Sequence, residues 1–175
     1  FNKVEDRIKY AAPIQFTKYI GGTFGSVGFA EKFEGRILSS SVSTFGFKMT
    51  GPGVLIDGPP LDVEVLFHSG APSHYSKFST SASGLLLMTN ISLIMELQDY
   101  GNGLLYYGMG ATLVYTKFDV KIAEQAFDSQ EIRLGALGSL GYARRFSKYL
   151  AKAEVKYHYE KEKYLGFGLA FQTTY

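Results

Sequence analysis

The chain has 175 residues, with 20 glycines, 13 tyrosines and 14 phenylalanines, no tryptophan, no cysteine and a formal net charge of +2. That length is one domain, 1–175, with room for a packed core or a closed barrel. The missing cysteines exclude a disulfide scaffold and any thiolate metal site, and the small charge without a dense Lys/Arg run excludes a nucleic-acid partner.

No helix here would cross a membrane: the longest purely apolar stretch is Leu85–Met88, against the roughly 20 residues a spanning helix needs. Alternating strands leave only a weak hydropathy signal, so a membrane barrel stays open. A start at Phe1 rather than Met is expected of a chain whose leader or tag has been removed.

Period-two alternation predicts about eight strands, near 14–29, 36–49, 61–69, 77–98, 104–120, 131–145, 149–160 and 163–175. In the first two, both faces mix Gly, Ser and Phe. The third carries Asp62 and Glu64 on one face. A turn-rich stretch, Ala71-Pro72-Ser73-His74, follows it, and the fourth strand brings Asn90 and Glu96. Gly51-Pro52-Gly53, Asp57-Gly58-Pro59-Pro60 and Asp99-Tyr100-Gly101-Asn102-Gly103 are connections that supply turn geometry or forbid a central strand.

The fifth strand places Leu105, Tyr107, Met109, Ala111, Leu113 and Tyr115 on one face, with Gly108, Gly110 and Thr112 on the other. The sixth contributes Arg133. In the seventh, Tyr149, Ala151, Ala153, Val155 and Tyr157 stand opposite Lys152, Glu154, Lys156 and His158. Tyr107 to Tyr115, like Tyr149 to Tyr157, spans about 26 Å of strand, a spacing that fits two interfacial aromatic girdles. Period two alone does not say which face is inside. A soluble lipocalin-like binder would turn the apolar face inward around a ligand. That pattern expects a Gly-x-Trp near its start and a helix after the barrel, and this chain has no Trp and closes on a strand.

The last strand separates Leu165, Phe167, Leu169, Phe171, Thr173 and Tyr175 from Gly166, Gly168, Ala170, Gln172 and Thr174. This resembles the closing strand of small bacterial outer-membrane β-barrels, the class of the OmpA transmembrane domain, OmpX and OmpW, which typically ends on an aromatic residue. Thr173 departs from the pattern, standing where the class usually has something larger and apolar. The resemblance implies an all-β fold, an antiparallel up-and-down transmembrane barrel of about eight strands in the bacterial outer membrane. It also implies that Leu169, Phe171 and Tyr175 form the signal read by the barrel-assembly machinery, with outer-membrane lipids and lipopolysaccharide as surroundings. Both termini would be periplasmic, and the short connections near 30–35, 70–76, 121–130 and 161–162 extracellular.

With the apolar faces toward lipid, the lumen receives a charge network of Asp62, Glu64, Glu96, Arg133, Lys156 and His158, joined by Asn90, Lys152 and Glu154. Mixed signs in so narrow a space are expected to pair and plug it, because an unpaired buried charge is costly. The role expected is structural, or passage of small or apolar molecules. One catalytic alternative exists. In an extended His74-Tyr75-Ser76 the imidazole and the hydroxyl share a face, which looks like the His-x-Ser element of outer-membrane lipid A deacylases, with Glu96 or Glu64 as the available acid. The three histidines show no metal-ligand spacing and the glycines form no phosphate loop, so neither a metal nor a cofactor is expected.

Overall fold

The computed structural model describes residues 18–33, 35–52, 58–122 and 125–175. Eight strands follow in order: β1 Tyr19–Phe33, β2 Arg36–Gly51, β3 Leu61–Ser69, β4 Ser81–Asp99, β5 Gly103–Ile122, β6 Gln125–Phe146, β7 Tyr149–Tyr159 and β8 Lys163–Thr174. Each pairs antiparallel with the next, and β1 pairs with β8 from Tyr19↔Thr174 to Val27↔Gly166, so the sheet closes into an up-and-down barrel without an edge. A short 3-10 turn, Ser73–Lys77, sits between β3 and β4.

Turn chemistry sets the connections. Gly101 adopts φ +78°, a conformation that side chains resist, and its N–H donates to the Asp99 carboxylate at 2.6 Å. Gly35, at φ +80°, does the same work between β1 and β2.

Three strand boundaries differ from the sequence reading. Residues 14–17 of the first predicted strand lie outside the described residues, and β1 continues past 29 to Phe33. The fourth strand starts at Ser81, since residue 77 belongs to the 3-10 turn. The sixth starts at Gln125 rather than 131, so most of the predicted connection 121–130 is a paired hairpin, Ile122↔Gln125 through Lys117↔Gln130. Residues 125–130 are exposed on both faces. With water on either side there is no alternation to read, and only the backbone ladder defines the strand.

The outer wall is apolar. Phe47 is 68% exposed, Met109 60%, Leu134 74% and Phe171 65%, and the outward positions of β2 to β8 repeat the pattern, an arrangement far beyond the apolar patches of water-soluble monomers. The lipocalin-like alternative, apolar face inward, is therefore not how β5, β7 and β8 are turned. Close packing inside the wall rests on small residues. At Gly110 an added Cβ would meet the Ile91 carbonyl oxygen at 1.9 Å, so β5 approaches β4 there only because the side chain is missing.

Candidate functional site

Strand alternation sends every second side chain into the lumen, and eight strands leave a bore that side chains fill. The filling comes in layers. At the end near the termini Tyr19, Ile94, Leu104, Tyr106, Ala143 and Leu150 form one apolar cluster. Toward the opposite end Val27, Phe29, Val42, Leu66, Leu86, Met88, Val114, Phe118, Val120 and Tyr164 form a larger one.

Between them lies an ionic layer. Lys152 donates to both oxygens of Asp62, at 3.1 and 3.2 Å, and to the Thr50 hydroxyl at 2.9 Å. Lys156 donates to both oxygens of Glu64, at 2.7 and 2.5 Å, and lies 3.2 Å from Glu154. Lys48 pairs with Glu154 and stands 3.0 Å from Asp62 and 3.7 Å from Glu64. Neutral groups occupy further acceptor sites: the Thr23 hydroxyl and Asn90 amide donate to Glu64, and the Tyr106 hydroxyl to Glu154 at 2.7 Å. Three lysines thus balance three carboxylates, all buried. A desolvated ion cluster persists on those terms, with charge matched and lone pairs engaged.

The predicted lumen residues divide. Asp62, Glu64 and Lys156 meet in this layer. Glu96 does not: it pairs with inward Tyr106 but is exposed, at the last residue before the register shift Glu96/Gln98 where β4 slips against β5. Arg133 is buried but belongs to the far mouth. His158 is buried above Lys156, stacked on Tyr164 at 5.0 Å, and its ring nitrogens hydrogen-bond to no described group. Lys48 and Gln172, which bonds the Lys48 carbonyl at 3.1 Å, had no place in the predicted network. The signal for Lys48 was the β2 alternation Phe45, Phe47, Met49 against Gly46, Lys48, Thr50, and for Gln172 the β8 alternation Phe167, Leu169, Phe171 against Gly168, Ala170, Gln172.

At the far mouth Arg133 lies 5.1 Å over the Phe29 ring, capping the larger apolar cluster. It donates to Glu131 at 2.7 Å and Glu31 at 2.6 Å. Glu31 also accepts from the Tyr75 hydroxyl at 2.6 Å. Burial, and then the bond to Glu31, pushes the Tyr75 phenol well above its ordinary range. Glu31, Leu38, His74, Tyr75, Glu131 and Arg133 help line a cavity of about 190 Å³.

The His74 and Ser76 pairing does not form. Both lie in the 3-10 turn rather than an extended segment; His74 is buried, and the exposed Ser76 hydroxyl donates to the Ser73 carbonyl at 2.7 Å. Successive residues of a 3-10 turn rotate about a third of a circle, so positions two apart diverge. Tyr107, Tyr115, Tyr149 and Tyr157 all point outward, the first of each pair nearer the termini. Leu169 and Phe171 share the outer face of β8, with Tyr175 exposed just beyond it. Among the described residues no group of three His, Asp or Glu is placed to hold a metal.

No family model matches the chain, and no curated protein sequence does. Its fold is that of solved barrels. It resembles Neisserial surface protein A, with TM-score 0.62 and 14% identity over 90% of this chain and 96% of that one. It also resembles Ail, the attachment invasion locus protein of Yersinia pestis, solved in complex with the heparin analogue sucrose octasulfate, with TM-score 0.53 and 13% identity over 90% and 98%. A third likeness is to the N-terminal β-barrel domain of Pseudomonas aeruginosa OprF, with TM-score 0.53 and 11% identity over 92% and 100%. All three are small outer-membrane barrels of eight strands, and this chain has their fold.

Proposed function

We propose that the protein is an integral β-barrel of a bacterial outer membrane whose resting lumen is closed, a structural element of that membrane rather than an open pore. The observation that carries this is the stack of apolar cluster, ionic layer and apolar cluster along the bore. An ion on that path would have to displace paired charges and then cross a region lined mainly by apolar side chains. The apolar outer wall, the outward tyrosines near its two rims and the likeness to outer-membrane barrels support the location. Lipid chains, including those of lipopolysaccharide, would cover that wall, and the alternate Leu169, Phe171 and Tyr175 would serve the barrel-assembly machinery as an insertion signal. Small or apolar molecules would pass only after the ionic layer rearranged.

Planar-bilayer recording of the refolded protein tests the closed lumen, with heat-modifiable gel mobility as the check on folding. The expected outcome is no large, stable conductance. Steady open channels in the wild-type protein, narrowed by bulky substitution at inward Gly108, would replace this reading with a pore.

A further inference from the structure

His74 has a serine partner, though not the one beside it in sequence. Ser40 is an inward position of β2 near the far mouth, and its Oγ lies 2.9 Å from His74 Nδ1. On the other side of the ring, His74 Nε2 lies 3.4 Å from Glu31 Oε2. One neutral tautomer satisfies both contacts: the Ser40 hydroxyl donates to Nδ1, and Nε2–H donates to the carboxylate. The imidazole is 2% exposed and packs against the Tyr75 ring at 4.7 Å, so its orientation is fixed. Glu31 is fixed in turn, its Oε2 accepting from Tyr75 and its Oε1 from Arg133, each at 2.6 Å. Glu31 and Ser40 come from the two arms of the β1–β2 hairpin, and the 3-10 turn after β3 brings His74 between them.

We propose that Ser40 is an activated nucleophile, with His74 as its base and Glu31 as the acid that orients the base, and that this mouth hydrolyses short-chain carboxylic esters. A hydroxyl in hydrogen-bond reach of an oriented imidazole is the arrangement that acyl transfer requires. A cavity of about 190 Å³ lined by His74, Glu31 and Leu38, the inward position of β2 next to Ser40, adjoins the pair, and its size suits a small substrate. Ser40 is half-buried rather than sealed. It faces the lumen axis while Ser39 and Ser41 face outward, so the substrate arrives from the aqueous mouth and not from the lipid surface around the wall.

In the first half-reaction Ser40 Oγ bonds to the ester carbonyl carbon and its proton passes to His74 Nδ1. The carbon–oxygen bond to the alcohol then breaks, and the alcohol leaves with that proton. In the second, a water gives a proton to Nδ1 and its oxygen bonds to the acyl carbon. Ser40 Oγ departs and takes the proton back, releasing the carboxylic acid. Throughout, Glu31 holds the ring and balances its transient positive charge.

The refolded barrel is incubated with a fluorescent fluorophosphonate, and the adduct is located by peptide mass mapping, alongside hydrolysis of p-nitrophenyl acetate. The expected result is one adduct, on Ser40. Its formation and the hydrolysis are lost in Ser40→Ala, slowed about 100-fold or more in His74→Gln, and unchanged in Ser76→Ala. Variants are compared only where heat-modifiable mobility shows a folded barrel. An unlabelled Ser40 in the folded wild-type protein overturns the proposal without any variant, and so does labelling at the same rate in folded His74→Gln.

Discussion

Lys156 of β7 grips both carboxylate oxygens of Glu64 on β3, at 2.7 and 2.5 Å, across the width of the barrel. In a ring of eight, strands three and seven are opposite walls. The pair therefore ties the two sides of the cylinder together, and Lys152 to Asp62 repeats the tie between the same two strands.

Removing one partner of such a pair leaves the other buried and unmatched. Glu64→Gln should lower stability by about 3 to 5 kcal/mol, read from urea unfolding of the refolded protein in detergent. The double variant Glu64→Gln with Lys156→Met should recover much of that loss, because it removes the orphaned charge as well. A double variant no more stable than the single one would mean that the cost lies in packing.

Met109, which lies between Tyr107 and Tyr115 on β5, is 60% exposed on the outer wall. Arg there should cost about 2 to 4 kcal/mol when the barrel is refolded into lipid vesicles. The same change at Lys117, farther along the same face, should be close to neutral. Equal stability of the two variants in vesicles would place lipid elsewhere.

Two glycines of the wall separate close approach from simple tolerance. At Gly110 a Cβ would lie 1.9 Å from a backbone oxygen, whereas at Gly138 nothing lies within 4 Å. Gly110→Ala should strongly reduce the refolded fraction, and Gly138→Ala should leave it unchanged, as read by the folded band on unheated gels. Similar yields for both would show that β5 can withdraw from β4.

Glu160 supplies a pH dependence outside the wall. Burial, against the opposing hydrogen bond from Tyr164, raises its carboxyl above the ordinary carboxylate range. A folded value above the unfolded one means the native state holds the proton more tightly. Its contribution to stability is then full below the unfolded pKa and lost as pH rises through the folded one. Denaturation midpoints should fall over that interval in the wild-type protein, and Glu160→Gln should flatten the slope. An unchanged slope would assign it to another group.

Alternation along the strands is a local property, and the sequence displays it wherever one face meets an apolar medium and the other a packed lumen. It marks Met109, Val155 and Phe167 on one side and Lys152, Glu154 and Lys156 on the other, and with them the eight-stranded barrel. It does not mark residues 125–130, where both faces are wet, and it does not reveal that Glu96, in phase with inward Tyr106, is exposed next to the register shift that follows it. Partners inside the lumen are a different matter. Lys48 reaches Glu154 only because the ring closes, with β1 on β8, at a diameter and stagger that bring far-separated strands face to face, and Ser40 reaches His74 because the turn after the neighbouring β3 folds back over β2. Those distances are set by register and curvature summed around eight strands, so no spacing along the chain records them.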